Sequence, residues 1–170
     1  MAKGLGPFVV GIAEQRRAPA HPRPVTVAGP LPGLRLSDAW VPDDAEVTAD
    51  LQLELLVDGR LTATGVIRAP WDGRCRRCLQ DVEGELVVDT SEVFEPHPAE
   101  DAETYPLSAD RVDLEPMIRD ALLLALPLAP LCRDDCAGPD PDEHPVGIAG
   151  DEDAATPDPR WSALGELRFD

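Results

Sequence analysis

Residues 47–68 read Val-Thr-Ala-Asp-Leu-Gln-Leu-Glu-Leu-Leu-Val-Asp-Gly-Arg-Leu-Thr-Ala-Thr-Gly-Val-Ile-Arg, and this stretch decides the fold. Apolar and polar side chains alternate over residues 47–57 and again over 60–68, which is the pattern of strands that each bury one face. Asp58 and Gly59 separate the two runs and supply the positive-φ pair of a tight turn. The stretch therefore predicts a β-hairpin.

Further strands are predicted on both sides of this hairpin. Residues 81–94 predict a third long strand, because apolar side chains recur through them. The short apolar runs 8–12 and 25–27 lie near prolines and predict brief edge strands, since proline cannot donate to the middle of a sheet. Residues 95–110 are acidic and interrupted by proline, which indicates a loop.

One helix is predicted over residues 114–126, where apolar side chains recur at helical spacing. Asp113 occupies the N-cap position, and Glu115 and Arg119 form a favourable i,i+4 pair. Residues 122–126 are apolar all round, which predicts burial of the helix on most sides. The expected fold is α+β: an antiparallel β-sheet with one main buried helix, a cysteine knuckle and a disordered acidic C-terminal segment.

Charge and composition exclude several function classes. The chain of 170 residues holds 15 Lys and Arg against 33 Asp and Glu, a formal net charge of −18. That balance argues against unaided binding to nucleic acid and against docking on an anionic membrane. The longest apolar segment, residues 121–132, is too short for a bilayer span of about 20 residues. We therefore expect a soluble, cytoplasmic protein.

The charge distribution divides the chain into two parts. Residues 1–136 are predicted to form one α+β domain, whose Pro-rich N-terminal part, 1–35, is basic. Residues 137–170 are predicted to form an acidic, Pro-rich tail, because such composition cannot bury enough apolar surface to fold. A short docking segment at 160–169 contains Trp161. The sequence leaves open whether that segment packs on its own domain or binds a partner.

Two pairs of cysteines carry the chemistry. Cys75 and Cys78 form a Cys-x-x-Cys motif, and Cys132 and Cys136 follow after 53 intervening residues. A Cys-x-x-Cys motif after a strand makes a knuckle, and residues 71–74 just before it have the composition of a turn. The four thiolates would complete the tetrahedral set of a structural Zn²⁺, which is the predicted cofactor.

Two other readings of these cysteines remain open: four unbound thiols, or a redox pair at Cys75 and Cys78. Arg74, Arg76 and Arg77 would lower the thiol pKa, as redox chemistry requires. A thioredoxin-like motif should open a helix, however, whereas this one leads into a predicted strand. The three arginines either balance nearby acids or contact phosphate. No nucleophile elbow, phosphate loop or His-Glu-x-x-His motif is present.

The chain resembles the YceD family, whose members are described as large ribosomal RNA subunit accumulation proteins. The resemblance rests on the Cys-Arg-Arg-Cys-Leu knuckle at 75–79 and on residues 113–132, with their acid-rich helix start, Leu-Ala-Leu-Pro ending and following cysteine. The ending Asp-Pro-Arg-Trp-Ser-Ala-Leu at 158–164 is also similar. Relatives from GC-rich bacteria often continue into another Cys-x-x-Cys-Gly, where this chain has Pro-Asp-Pro-Asp at 139–142. The sequence does not decide which cysteines hold the family's metal.

The resemblance implies a non-enzymatic role in making or stabilising large-subunit ribosomal RNA. The negative charge favours action through a ribosome-assembly protein or pre-ribosomal particle, with no membrane and no small-molecule substrate. Contact with ribosomal RNA would be secondary and would use the basic side chains Arg16, Arg17, Arg74, Arg76 and Arg77. Two alternatives stay open: a thiol–disulfide protein using the Cys-x-x-Cys motif, and a plain protein-interaction module.

Overall fold

A long antiparallel hairpin forms the middle of the fold in the computed structural model, which describes residues 6–17, 19–99, 101–140 and 142–143. The described residues include the helices α1 (Ala13–Arg17) and α2 (Glu115–Ala125). The strands, in chain order, are β1 (Val9–Gly11), β2 (Arg23–Pro30), β3 (Arg35–Leu36), β4 (Ala39–Trp40), β5 (Glu46–Leu55), β6 (Leu61–Arg74), β7 (Asp81–Glu95), β8 (Tyr105–Pro106) and β9 (Arg111–Asp113). This mixture confirms the predicted α+β class.

The predicted hairpin is strands β5 and β6. Their register runs from Thr48 opposite Arg68 to Leu55 opposite Leu61. Alternate side chains are buried along both strands, as the period-2 pattern predicted. The buried set comprises Val47, Ala49, Leu51, Leu53, Leu55, Leu61, Ala63, Ile67 and Ala69.

The hairpin turn differs from the predicted two-residue turn. The amide of Gly59 donates to the carbonyl oxygen of Leu56 at 3.1 Å, and the amide of Leu56 donates to that of Arg60 at 2.7 Å. The loop therefore has three residues, Val57 to Gly59, and only Gly59 has a positive φ, at 89°. The predicted positive φ at Asp58 was wrong, because a three-residue hairpin loop needs one left-handed residue, at its end.

Strand β6 organises the sheet because it pairs along both edges. One edge pairs first with β5 and then with β4, and the other edge pairs with β7 along its whole length. Strand β2 pairs with the far edge of β5, where its prolines lie at the sheet margin, as predicted. Strand β8 joins β7 in parallel. Strands β3, β4 and β8 were not predicted, because two residues are too short for a periodic signal.

Residues 71–74 belong to strand β6, and their prediction as a turn was wrong. Trp71 lies opposite Gly84 of β7 in the register. A Cβ at Gly84 would lie 2.6 Å from Nε1 of Trp71, so the absence of a side chain there makes room for the indole. The ladder thus continues unbroken to Arg74, and the chain reverses only at the first cysteine.

Helix α2 begins later than its predicted cap. Asp113 is the last residue of β9, and Leu114 is the residue that caps the helix. The carboxylate of Asp113 accepts a hydrogen bond from the amide of Glu115 at 3.0 Å. Asp113 therefore satisfies a free amide of the first turn, as the prediction required, but from one position further back. The predicted ion pair between Glu115 and Arg119 is present at 3.1 Å.

The helix packs one face on the sheet and leaves the other partly open. Its buried side chains are Met117, Ile118 and Leu122. Leu124 is 88% exposed. The prediction of burial on most sides was therefore wrong at Leu124, which lies on the face of α2 away from the core, although Leu122 and Leu126 are buried. None of the helices in the described part of the chain is long and apolar enough to cross a membrane.

The sheet has one covered face and one open face. The covered face holds the core, which is aliphatic apart from Phe8 and Phe94 among its largest fully buried side chains. The open face carries exposed acids at alternating positions of β7, namely Asp81, Glu83, Glu85 and Asp89. The predicted acidic tail lies mostly outside the described residues, as does the segment 160–169. The division at residue 136 stays a prediction.

Candidate metal centre

The first cysteine pair lies in a tight reversal between β6 and β7. The amide of Cys75 donates to the carbonyl oxygen of Gln80 at 2.8 Å, and the amide of Leu79 donates to that of Cys75 at 2.9 Å. Leu79 adopts a left-handed conformation with φ 62°, which allows the chain to turn back within five residues. The predicted knuckle is therefore present, and the motif leads into a strand rather than a helix.

The second cysteine pair is brought to the knuckle by the segment that follows α2. The amide of Arg76 donates to the carbonyl oxygen of Pro130 at 2.9 Å, which fastens this segment to the knuckle. The amide of Cys136 donates to the carbonyl oxygen of Arg133 at 3.2 Å, so the chain turns between the last two cysteines. The second pair has three residues between its cysteines, one more than the first pair, and all three lie in this turn.

The structure gathers all four predicted cysteines at one point. The Sγ atoms of Cys75 and Cys136 are 3.8 Å apart, those of Cys78 and Cys132 are 3.7 Å apart, and all four lie within 4.8 Å of one another. Four thiolates at about 2.3 Å from a tetrahedral Zn²⁺ would be about 3.8 Å apart. A disulfide needs about 2.05 Å. The donor set and its spacing therefore fit one thiophilic ion.

The cluster has a buried half and an exposed half. Cys75 and Cys136 are buried, Cys78 is half-buried and Cys132 is exposed. Hydrogen bonds from the backbone amides of Cys78, Cys132 and Arg77 lower the pKa of the Cys75 thiol to about 6. Desolvation and the neighbouring thiols raise the pKa of Cys132 to about 12. The cluster therefore holds one thiolate readily, and a bound cation would favour the others.

Arg77 joins the two halves of the centre, a role the sequence did not reveal. Its guanidinium donates hydrogen bonds to the carbonyl oxygens of Asp134, at 3.1 Å, and Cys136, at 2.8 Å. The sequence could not indicate these bonds of Arg77, because their acceptors are backbone atoms, which every residue carries. Arg74 lies 3.9 Å from the carboxylate of Asp81, and Arg76 is exposed.

The remaining candidate arginines lie at the opposite end of the sheet. Arg16 and Arg17 are the last residues of α1. Three residues later, the amide of Ala20 donates to the carbonyl oxygen of Leu55, beside the hairpin turn. Strand β6 separates that turn from the knuckle and spans roughly 43 Å at ~3.3 Å per residue. The structure therefore does not bring the five predicted arginines into one basic surface.

A cleft of about 490 Å³ lies on the open side of the sheet near the knuckle. Arg35 stacks on the ring of Trp40, with its guanidinium carbon 4.5 Å from the ring centroid. Trp40 lines the cleft together with the acids Asp72, Asp81 and Glu83. The sequence did not indicate this cleft, because its lining comes from strands that are not adjacent in the chain.

Comparisons with known proteins give one family model and several mycobacterial relatives. The sequence model described as "Large ribosomal RNA subunit accumulation protein YceD" matches residues 63–168. Uncharacterized proteins of Mycobacterium tuberculosis and Mycobacterium bovis are each 38% identical over 125 residues, which are 69% of this chain and 60% of theirs. One from Mycobacterium leprae is 37% identical over 109 residues, which are 55% of this chain and 46% of its own. No solved structure matches.

Proposed function

The chain belongs to the YceD family, and from that premise we propose that it is a non-enzymatic, cytoplasmic accessory factor for the synthesis, processing or stability of large-subunit ribosomal RNA. The single observation that carries this proposal is the family match, which includes the knuckle, α2 and the second cysteine pair. The four thiols face one another within 4.8 Å, an arrangement suited to holding an ion rather than to presenting a nucleophile to a substrate.

The metal centre would serve stability in this role. One Zn²⁺ held by Cys75, Cys78, Cys132 and Cys136 would fasten the β6–β7 end of the sheet to the segment after α2. That segment is otherwise held by few bonds, among them those from Arg76 and Arg77. A closed set of four thiolates leaves no open position for water or substrate, which is typical of structural zinc.

The charge distribution supports a basic protein, rather than RNA, as the direct partner. Arg77 is bonded to backbone oxygens and Arg74 lies beside an acid, so two of the candidate phosphate contacts are already engaged. The open face of the sheet carries the acids of β7, which would repel phosphate. A ribosome-assembly protein or pre-ribosomal particle with an exposed basic protein surface suits this face.

Depletion of the protein in its bacterial host tests the proposed role. We expect the ratio of large-subunit to small-subunit ribosomal RNA to fall, and re-expression of the intact chain to restore it. An unchanged ratio after complete depletion would contradict the proposal.

Complementation separates the metal centre from the role in ribosome assembly. Cys132→Ser should fail to restore the ratio fully, whereas the matched variant Arg133→Ser, at the neighbouring exposed position, should restore it. Full restoration by Cys132→Ser would show that the cluster is dispensable for the ribosomal role without contradicting that role.

A redox function is the second candidate, and the low pKa of Cys75, at about 6, favours it. Cys75 is 0% exposed, however, so an attacking sulfur would have to leave its pocket to reach a disulfide. Thiol titration distinguishes the two candidates. A redox protein loses thiol–disulfide exchange activity in Cys75→Ser and keeps its fold, whereas a structural centre loosens when any of the four cysteines is replaced.

A further inference from the structure

Exposed apolar side chains are concentrated in the two segments that carry the cysteines, namely the knuckle and the stretch from the end of α2 to Cys132. Six large apolar side chains are exposed in the described part of the chain, and four of them lie here. They are Leu79 (70% exposed), Leu124 (88%), Leu128 (71%) and Leu131 (36%), which we name the leucine surface. Such clustering of exposed apolar side chains marks an interaction site in a water-soluble fold.

Two side chains of the leucine surface are next to cysteines of the cluster in the sequence. Leu79 follows Cys78 in the knuckle, and Leu131 precedes Cys132, whose sulfur is 3.7 Å from that of Cys78. The bond between the amide of Arg76 and the carbonyl oxygen of Pro130 holds the two segments together. The surface thus spans the end of α2, the following loop and the knuckle.

We propose that residues 160–169 of the same chain dock on the leucine surface. This segment lies outside the described residues and carries four apolar side chains, Trp161, Leu164, Leu167 and Phe169, within ten positions. The family model matches residues 63–168, a range that includes the knuckle, α2 and all but the last residue of this segment.

The tether favours the chain's own segment over another occupant. Cys136 is buried in the cluster, so the chain leaves from beside the leucine surface, and Trp161 follows 25 residues later. A connection of that length within one chain holds the segment at an effective concentration on the order of millimolar. A separate apolar partner at micromolar concentration competes poorly against it.

Docking would also give the acidic stretch a defined role. Residues 134–158 contain nine acids and no Lys or Arg. Docking would connect this acidic stretch at both ends to the region of the metal centre, whose exposed half holds Cys132 and Cys78.

Hydrogen–deuterium exchange on the full chain tests this proposal independently of any ribosomal role. We expect the amides of 161–169 to exchange at least ~10-fold more slowly than an unstructured peptide. The double variant Leu124→Glu/Leu128→Glu should return them to within about twofold of peptide rates. Unchanged protection at Ile118, in the buried face of α2, would show that this variant remains folded.

Val57→Glu is the matched control, because Val57 is 90% exposed at the hairpin turn, far from the leucine surface. It should leave the protection of 161–169 unchanged. Peptide-like exchange of 161–169 in the intact chain would overturn the proposal, as would protection that survives the double variant. Protection that rises with protein concentration would also overturn it, since the occupant would then be a second copy.

Discussion

The guanidinium of Arg77 donates a hydrogen bond to the carbonyl oxygen of Cys136 at 2.8 Å, across 59 positions of sequence. The knuckle thereby contacts the second cysteine pair through an arginine as well as through the sulfurs. A bond from a charged donor to a partly buried carbonyl is stronger than a neutral one. This contact pre-positions Cys136 before any ion is bound.

Arg77→Ala should therefore loosen the metal centre. We expect the free energy of unfolding to fall by about 1–2 kcal/mol, because two bonds from a charged donor are lost at a partly exposed site. Urea denaturation measures the change. Arg76→Ala is the matched control, since Arg76 is exposed and its fastening bond comes from the backbone amide. Equal losses in both variants would argue against the bridging role of the Arg77 side chain.

Freshly purified protein should contain one zinc ion per chain, because the four sulfurs have the spacing of a tetrahedral thiolate site. Elemental analysis measures the content. Cys132→Ser should lose most of the metal and roughly 3 kcal/mol or more of stability. Arg133→Ser should keep both, because the ion pair of Arg133 with Asp135 is exposed and contributes little. Full zinc content in Cys132→Ser would contradict the four-cysteine site.

The single tyrosine of the chain should titrate late. Burial and a hydrogen bond to the carboxylate of Asp120, at 3.0 Å, raise the pKa of Tyr105 from 10.0 to about 12. The ultraviolet absorbance of tyrosinate measures the ionisation of Tyr105 directly as the pH is raised. Asp120→Asn should lower the midpoint, because it removes the negative charge that opposes ionisation. A midpoint unchanged in Asp120→Asn, with Asp89→Asn as control, would contradict the pairing.

The same shift predicts the sign of a pH dependence in stability. Between pH 10 and about 12 the folded chain keeps the phenolic proton of Tyr105, whereas the unfolded chain has released it. The contribution of Tyr105 to stability is therefore fully present below pH 10 and is lost as the pH rises through this window. Denaturation of Tyr105→Phe should show a shallower alkaline decline than the unsubstituted chain. An equally steep decline in both would refute the assignment.

Gly65→Ala should destabilise the sheet by about 2 kcal/mol, because the strands approach too closely for a side chain. A Cβ at Gly65 would lie 2.9 Å from Cα of Leu51 and closer still to the carbonyl oxygen of Asp50. Thermal denaturation measures the loss. Gly11→Ala is the matched control, since the nearest atom to its Cβ would be 3.9 Å away. If both variants were equally stable, the close approach of β5 and β6 would be wrong.

Sequence reasoning identified the strands that carry strong periodicity and missed the short ones. The hairpin of residues 47–68 and the strand at 81–94 were predictable, because alternation over ten residues is a local signal. Strands β3, β4 and β8 have two residues each and exist only because a neighbouring edge is available for pairing. The prediction of a turn at 71–74 was wrong for the same reason. Pairing with β7 keeps these residues in strand β6, although their composition is that of a turn.

The candidate site, like the fold, was only partly predictable from the sequence. The identity of the four cysteines, their two spacings and the presence of a knuckle were readable from the sequence, because thiols at short separation have few roles. The sequence did not reveal that the four sulfurs meet within 4.8 Å. It also did not reveal the bonds of Arg77 to backbone oxygens or the distance of Arg16 and Arg17 from the knuckle.

The sequence by itself determined the long strands, the main helix and the side chains that can bind a soft metal, because those properties depend on neighbours along the chain. The tertiary structure alone decided that Cys75 and Cys136 come together and that α2 leaves Leu124 exposed. Those outcomes depend on how the edges of β6 pair and on which face of α2 packs against the core. Contacts between residues far apart in sequence carry no local pattern, so only the folded chain reveals them.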